Sequence, residues 1–258
     1  MAAISFDGVA KTFGRTGQES VALERIDLEV ADREFVAIVG PSGCGKTTCL
    51  RMVAGFEFPS AGSVSVDRRR VTGPGPDRAV VFQQFALFPW KTVAANVGFG
   101  LQMAGAPRAR IREQVERCLR LVGLEGAERR YPYQLSGGMQ QRVGLARALA
   151  VDPDVLLMDE PFASVDAQTR EVLQEELLQI LARDRKTMVF ITHSIDEAII
   201  LGDRVAVMTS HPGRVKEVLD VEFPRPRDPA WVRAQDGYTA LRNYIWDELR
   251  PTLVDQQM

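Results

Sequence analysis

The segment that most constrains this 258-residue chain is Gly40-Pro-Ser-Gly-Cys-Gly-Lys-Thr-Thr48, which fits the phosphate-loop pattern GxxxxGK[ST]. It follows a continuous apolar run at residues 35–39, typical of a buried parallel strand, and it precedes a helix-like segment that ends at Ala54. Its glycines let backbone N–H groups turn toward an anion, and the following helix adds the positive end of its dipole. The order strand, loop, helix therefore predicts an α/β fold with a site for nucleotide phosphates.

Two side chains of this loop have predicted roles toward the nucleotide. Lys46 is expected to reach the outer phosphates, and the Thr47 hydroxyl is expected to hold Mg²⁺. We interpret Cys44 as a small residue that the loop tolerates rather than as a nucleophile. The alternative is a glycine-rich turn between a strand and a helix that binds nothing. The candidate binding positions are Gly40, Pro41, Ser42, Gly43, Cys44, Gly45, Lys46, Thr47 and Thr48.

Two adjacent acids follow a second apolar run, at residues 155–158. The carboxyl ends of strands are where open α/β sheets bind ligands, so Asp159 and Glu160 are placed at a predicted site. Asp159 fits a residue that orients Mg²⁺, and Glu160 fits a general base for the water that attacks the γ-phosphorus. Alone, Asp-Glu-Pro is an ordinary exit from a strand into a turn; the phosphate loop favours the catalytic interpretation.

His193 ends the apolar run at residues 187–192. In a parallel sheet this position reaches the same edge as Glu160, so we predict that His193 contacts the γ-phosphate and the attacking water. A lone histidine is more often structural. The second histidine, His211, lies beside Pro-Gly and is interpreted as a surface turn residue.

A second possible anion site begins at Leu135-Ser-Gly-Gly-Met139. Ser136 is a good N-cap, and Gly137 and Gly138 open a strong helix whose N-terminus can receive an anion. One nucleotide does not need two such sites. The segment is therefore either a simple capped helix or a surface that grips the γ-phosphate of a nucleotide held by another copy of the chain.

The remaining chain divides into β-rich and helical parts. A helical block is predicted at residues 92–150, and a strand, helix, strand unit over residues 155–192 forms a right-handed crossover. The tail from Pro224 is predicted to end in a packed amphipathic helix. Further strands are predicted at residues 4–6, 21–30, 63–66 and 79–83, and the apolar positions assigned to the terminal helix are Trp231, Leu241, Ile245 and Trp246.

Composition argues against several other classes of protein. The 32 basic and 34 acidic residues give a formal charge of −2, so no overall field favours nucleic acid or anionic lipid. Three cysteines without CxxC spacing argue against a disulfide framework and against a zinc site. The N-terminus lacks a signal-peptide pattern, and no run approaches the ~20 apolar residues that span a bilayer. We therefore expect a cytoplasmic chain.

Together, the motifs at 40–48, 135–149, 155–160 and 187–193 resemble those of the ATP-binding subunits of ATP-binding cassette transporters, over residues 4 to at least 208. The resemblance implies an α/β fold with a P-loop NTPase core, a mixed central sheet, an N-terminal antiparallel β-subdomain and an inserted α-helical subdomain. The implied division is 1–85 and 151–222 for the core with the β-subdomain, 86–150 for the helical subdomain and 223–258 for a C-terminal helical extension.

In that family two cassettes sandwich two ATP molecules, each between the phosphate loop of one chain and the signature segment of the other, which corresponds here to residues 135–139. By the same resemblance Gln83 senses Mg²⁺ and the membrane partner, Asp166 links the two sites, and Phe13 stacks on adenine. Phe13 stands where many members have tyrosine, and its alternative is a buried strand residue. Gln84 follows Gln83 directly, so the alternative is that Gln84 has the sensing role. Met139 and Ser164-Val165 are further departures that remove no catalytic group.

Some segments are more similar to importer cassettes of the nitrate, sulfonate and taurine group, among them Phe88-Pro-Trp-Lys-Thr-Val93 and Phe190-Ile-Thr-His-Ser-Ile195. The resemblance implies an ATPase that uses ATP and Mg²⁺ to power uptake of a small anion. Its implied partners are a second copy, two membrane-spanning permease subunits and an extracytoplasmic solute-binding protein, with no nucleic acid. It implies a peripheral location on the cytoplasmic face of the inner membrane. The alternatives are another solute, or a related ATPase that acts on DNA or ribosomes.

Overall fold

The computed structural model describes residues 2–14, 19–83, 86–163, 165–183, 186–209 and 212–254. These residues form two β-sheets with helices packed around the larger one. The strands are β1 Ile4–Phe13, β2 Ser20–Val30, β3 Phe35–Val39, β4 Ala61–Val66, β5 Arg69–Arg70, β6 Arg78–Val81, β7 Val155–Asp159, β8 Thr187–Thr192, β9 Arg204–Thr209 and β10 Arg214–Asp220.

The central sheet has six strands in the order β10-β9-β3-β8-β7-β6. Strands β6, β7, β8, β3 and β9 run parallel, and β10 pairs antiparallel with β9. The second sheet is antiparallel, in the order β2-β1-β4-β5. The structure therefore confirms the predicted α/β fold with a mixed central sheet and an N-terminal antiparallel sheet.

Nine helices occur in the described part of the chain, with a short 3₁₀ turn at Pro132–Gln134 before the fifth. They are α1 Lys46–Ala54, α2 Val93–Val97, α3 Phe99–Met103, α4 Arg108–Leu121, α5 Gly137–Ala150, α6 Ala167–Arg183, α7 Ile195–Leu201, α8 Pro229–Arg233 and α9 Asp236–Val254. Among the helices of these described ranges, none combines the length and the apolar character that a membrane crossing requires.

Strand β3 separates two apolar cores. Side chains of a strand alternate between the faces of its sheet, and every residue of β3 is apolar and buried. Val36 and Ile38 join a core shared with α1 and the antiparallel sheet. The other three residues of β3 join the core that the remaining helices cover, where Phe190 of β8 is fully buried. Burial of such a side chain stabilises the fold by roughly 1.5–3 kcal/mol.

Several predicted boundaries differ from the observed ones. Strand β1 continues to Phe13, with register shifts against β2 that break its alternation. Strand β6 ends at Val81, so Gln83 lies beyond the strand to which it was assigned. In the tail, Ile245 is buried and Leu241 packs against the core, as predicted, whereas Trp231 and Trp246 are about half exposed. Val232, Tyr238 and Leu249 are also buried there. The tryptophans were therefore wrongly assigned to the packed side of the terminal helix.

Candidate functional site

The phosphate loop connects the buried end of β3 to the start of α1. Gly43 and Gly45 have φ of 78° and 94°, a left-handed region that favours glycine. A Cβ on Gly45 would also lie 2.3 Å from Leu23 Cδ2. Gly45 is the N-cap of α1. Because glycine has no side chain to cap the helix, the first N–H groups of α1 remain available to an anion.

Lys46 is the first residue of α1 and is only 6% exposed. Its Nζ donates to the carbonyl oxygens of Gly40 at 2.8 Å and Pro41 at 2.9 Å, so the ammonium is held against the curl of the loop. Cys44 Sγ lies 3.8 Å from the same nitrogen. Burial raises the pKa of the Cys44 thiol, although the Lys46 charge opposes the shift. A thiol in this setting is a poor nucleophile.

Thr47 and Asp159 bring two oxygen ligands together beside the loop. Thr47 Oγ1 donates to Asp159 Oδ1 at 3.0 Å. Burial raises the pKa of Asp159, and the neighbouring charge of Glu160 adds to this effect. A bound cation would relieve both causes, and Mg²⁺ prefers oxygen ligands and shares its sphere with phosphates. Among the described residues there is no group of three or more acids, histidines or cysteines that could hold a metal ion.

Glu160 occupies a turn at the end of β7. Its φ is 46°, which costs a non-glycine residue roughly 1–2 kcal/mol. The turn is held because its N–H donates to Ile191 O at 2.9 Å and its carbonyl accepts from Ala163 N at 3.2 Å. Glu160 Oε2 lies 3.4 Å from Nδ1 of His193, which follows β8. The Glu160 side chain is 24% exposed and the His193 side chain 60%, so both can reach a bound molecule.

The signature segment forms a capped helix start. Ser136 is the N-cap of α5, and its Oγ accepts from Met139 N at 3.3 Å. Gly137 has open space around it, whereas a Cβ on Gly138 would lie 2.6 Å from Thr169 Cγ2. Ser136 and Gly137 are exposed, so this N-terminus faces outward from the chain.

Asp166 lies at the start of α6, next to the signature. Its carboxylate accepts from the N–H of Thr169 at 3.0 Å and from the Thr169 hydroxyl at 2.7 Å. The backbone bond from Thr169, followed by its hydroxyl bond, lowers the pKa of Asp166. Asp166 is therefore an anionic cap of α6 on an exposed surface. Ser164, the first residue of the motif that contains it, lies outside the described residues.

Phe13 and Gln83 are both exposed. Phe13 ends β1 and is 42% exposed, which contradicts the alternative of a buried strand residue. Lys11 Nζ lies 4.8 Å from the centre of its ring and is also bonded to Glu57 Oε1 at 2.7 Å. Gln83 follows β6. Gln84, the alternative for the sensing role, and His211, interpreted as a surface turn residue, lie outside the described residues.

Sequence reasoning missed the helix that follows His193. Helix α7 begins with Ser194, whose Oγ accepts from Glu197 N at 3.3 Å. Glu197 is buried, accepts from Thr192 Oγ1 at 2.5 Å, and has a pKa raised by burial. The pattern Ser-x-x-Glu is a known signature of a helix start and could have identified α7.

These positions define a class of protein. A buried lysine in a glycine loop, a Thr-Asp oxygen pair and a Glu-His pair share one edge of a mostly parallel sheet, which is the arrangement of a P-loop nucleoside triphosphatase.

Comparisons with known proteins identify the family. Residues 23–163 match the family described as ABC transporter. The chain belongs to this family, as an ATP-binding subunit with ATPase activity.

The relatives cover nearly the whole chain. An uncharacterized ABC transporter ATP-binding protein of Methanocaldococcus jannaschii, MJ0412, is 49% identical over 250 residues, or 97% of this chain and 94% of the relative. The nitrate import ATP-binding protein NrtD of Synechococcus elongatus is 46% identical over 95% of this chain and 91% of its own length. The bicarbonate transport ATP-binding protein CmpC of the same species is 44% identical over 94% of this chain, which spans 37% of CmpC.

A solved structure has the same fold. The ATP-binding cassette MJ0796, in a dimeric post-hydrolysis state bound to ADP and Pi, has a TM-score of 0.76 and 32% identity. The match covers 86% of this chain and all of that chain.

Proposed function

We propose that this chain is the ATPase of an ABC importer for a small anion of the nitrate, sulfonate or taurine type. Two relatives bear the names of nitrate import and bicarbonate transport proteins, and both solutes are small oxyanions. The observation that carries the catalytic part is the Glu160–His193 pair, which faces the same sheet edge as Lys46. In this proposal Gln83 and the Thr47–Asp159 pair take Mg²⁺ with the phosphates, and Phe13 takes the adenine ring.

The residues at this sheet edge have different roles in the proposed hydrolysis. Lys46 neutralises the outer phosphates, since its ammonium is already held at the loop by two carbonyls. Glu160 accepts a proton from the attacking water, and His193 holds that water and the γ-phosphate in line. When bound, Mg²⁺ neutralises charge on the phosphates. The left-handed turn at Glu160 fixes where its carboxylate points.

We propose a functional dimer in which each site is completed by the other copy. The exposed helix start at Ser136 and Gly137 suits an anion, and in this proposal it takes the γ-phosphate of the nucleotide on the partner. Asp166, at the neighbouring start of α6, faces the same exposed side. The dimeric state of MJ0796 supports this arrangement.

We propose that two membrane-spanning permease subunits dock on the helical part of the chain. Trp90 is 72% exposed and its ring centre lies 5.8 Å from that of Phe88. A groove of about 720 Å³ lies next along the chain, lined by residues that include Ala94, Gly98, Ile111 and Val115. An exposed tryptophan near a groove with a largely apolar lining suits a helix of a partner. The chain would then lie peripherally at the cytoplasmic face of the membrane. The permease subunits would receive the solute from an extracytoplasmic solute-binding protein.

The test of the catalytic assignment is Glu160→Gln. The amide cannot accept the proton, so hydrolysis should fall by roughly 10²–10⁴-fold while ATP binding persists. Because ATP is then retained, a nucleotide-dependent dimer should accumulate in size-exclusion chromatography with light scattering. The matched control is Glu175→Gln, the same change at an exposed position of α6. Turnover by Glu160→Gln within a few-fold of the control would refute the general-base assignment.

The test of the solute assignment uses the assembled transporter. The chain is purified from membranes of its own cell with its permease, and the co-purified solute-binding protein is titrated with nitrate, bicarbonate, taurine and, as a control, glucose. Binding of one of the anions, together with ATPase stimulation by the loaded binding protein, supports the proposal. Binding of glucose alone, or a partner that is ribosomal, contradicts it.

A further inference from the structure

Helix α7, which directly follows His193, is tied at its N-terminal end to the C-terminal helix α9. Asp196 lies in the first turn of α7. Its Oδ1 accepts from Tyr238 OH at 2.6 Å and from Arg242 Nε at 2.8 Å. Burial and the bond to Asp196 raise the pKa of Tyr238 to about 12. Two donors from successive turns of α9 therefore converge on one oxygen, three residues after His193.

The other end of α7 is held by the segment that leads to α9. Arg227, with a side chain 1% exposed, donates to the carbonyls of Ile199 at 3.3 Å and Gly202 at 2.5 Å. Arg225 donates to Leu201 O at 2.6 Å. Cations at the C-terminal carbonyls of a helix satisfy the groups that its last turn leaves unpaired. The C-terminal segment thus grips α7 at both ends.

Packing supports the same connection. Helix α9 packs against α7 and β9. Ile245 is fully buried, and Tyr238 and Leu249, which lie on the same face, are nearly so. Packing of this face fixes the position of α9, and from there Tyr238 and Arg242 reach Asp196.

The next turn of α9, which carries Trp246, borders a cavity beside the phosphate loop and His193 but does not fill it. A cavity of about 420 Å³ is lined by Gly40, Pro41, His193 and Asp196 on one side and by Arg242 and Trp246 on the other. Because this space lies between the phosphate loop and α9, the turn at residues 193–196 has room to shift. On the side of α9 the bonds of Asp196 oppose such a shift. On the other side of the turn, Glu197 accepts from Thr192 Oγ1 at 2.5 Å and lies 3.7 Å from Arg170.

We infer that Tyr238 and Arg242 are positioning residues for hydrolysis: by holding Asp196 they fix the turn that presents His193 to the nucleotide. This inference rests on the proposed role of His193. It assigns the C-terminal segment a part in the reaction although neither residue touches the phosphates. A displacement of about 1 Å at a reacting group can cost up to roughly 10²-fold in rate, so loss of both bonds should lower kcat by roughly tenfold.

The test uses the double variant Tyr238→Phe with Arg242→Met in the full chain, assayed for ATP hydrolysis at protein concentrations that saturate the specific activity. We expect kcat to fall by roughly tenfold with the KM for ATP changed less than twofold. Using Arg242→Lys in place of Arg242→Met keeps a donor at this position and should restore most of the lost kcat. The matched control is Tyr244→Phe, which removes a hydroxyl of the same helix that instead donates to Glu217 of β10 at 2.8 Å.

A cycle with His193→Ala identifies the route of the effect. If Tyr238 and Arg242 act through His193, their replacement should cost nothing further in the His193→Ala background. Equal losses in both backgrounds, or an equal loss in Tyr244→Phe, would overturn the inference and indicate a general effect on the fold. Full turnover by His193→Ala alone would instead refute the proposed role of His193. Wild-type kcat in the double variant with a slow His193→Ala refutes only the positioning role.

Discussion

Gly213, far from the phosphate loop in sequence, should control the affinity for ATP. It precedes β10 and is fixed on both sides to β2, because its N–H donates to Ala22 O at 3.0 Å and its carbonyl accepts from Glu24 N at 2.9 Å. A Cβ at this position would lie 2.0 Å from the carbonyl oxygen of Cys44. Gly213→Ala therefore forces a methyl group against the backbone of the phosphate loop.

The magnitude follows from the distance. Ordinary contact begins near 3.4 Å, so the Cys44 carbonyl must retreat by about 1.4 Å. The loop gives way rather than Gly213, since its own bond from Cys44 N to Pro41 O is long, at 3.4 Å. Hydrogen bonds weaken steeply when their donor–acceptor angle bends, so the N–H groups proposed to cradle the phosphates lose alignment. We expect the Kd for ATP to rise by roughly 10- to 100-fold, which corresponds to about 1.4–2.8 kcal/mol.

The assay is titration of the purified chain with ATP by calorimetry, with thermal unfolding measured in parallel without nucleotide. The matched control is Gly73→Ala, at a position where an added Cβ has nothing within 4 Å. The control should bind ATP normally. A Kd for Gly213→Ala within twofold of the wild type, in a protein that unfolds cooperatively, would show that the loop does not depend on this approach.

Three further perturbations test the edge and its partners. Burial raises the pKa of Asp159 above 3.8, so folding favours its protonated form and the nucleotide-free chain loses stability as the pH rises through the interval above 3.8. Asp159→Asn should therefore raise the Tm of the nucleotide-free chain near neutral pH by roughly 2 °C while abolishing Mg²⁺-dependent hydrolysis; an unchanged or lower Tm contradicts the burial argument. Ser136→Asp keeps a residue that caps helices well but sets a negative charge where the proposal puts a phosphate of the partner. It should leave the Tm and ATP binding of the single chain intact and weaken the ATP-driven dimer of Glu160→Gln by at least roughly tenfold, measured by light scattering; undiminished dimer would remove the signature from the interface. Trp90→Ala should spare ATP binding and weaken the complex with the permease by roughly tenfold in co-purification titrations, whereas Trp231→Ala, a tryptophan of α8, should not.

The buried strands could be predicted from the sequence because their environment removes any ambiguity. Residues 35–39, 155–158 and 188–191 are apolar and buried on both faces of the sheet, and a polar residue or the phosphate loop follows each run at the sheet edge. The parallel register then brings Lys46, Glu160 and His193 together. The carboxyl ends of parallel strands meet at one sheet edge, so the sequence could predict this juxtaposition without knowledge of any side-chain contact.

The rest depends on contacts between distant segments. Tyr238 and Arg242 are separated from Asp196 by 42 and 46 residues, and nothing in their local pattern indicates a shared partner. Arg227 is a buried cation that the sequence presents as one of several charges in a proline-rich stretch. The amphipathic pattern assigned Trp231 and Trp246 to the packed face together with Ile245, yet only Ile245 of these three is buried.

The order of strands explains why the segment after β8 is the sensitive point of the site. Strand β8 lies between β3, which leads to the phosphate loop, and β7, which ends at Asp159 and is followed by Glu160. His193 therefore emerges between the loop proposed to bind the phosphates and the residue proposed to activate water. The phosphate loop lies in close contact with Gly213 and with Leu23 of β2, and the Glu160 turn is bonded to β8. The turn at His193 instead continues into α7, a helix of only seven residues that is gripped by a segment from the other end of the chain. A seven-residue helix has little stability of its own, so its position is set by what holds it. Whatever moves α9 should for this reason reach His193 before it reaches the phosphate loop, and it should change kcat before it changes the affinity for ATP.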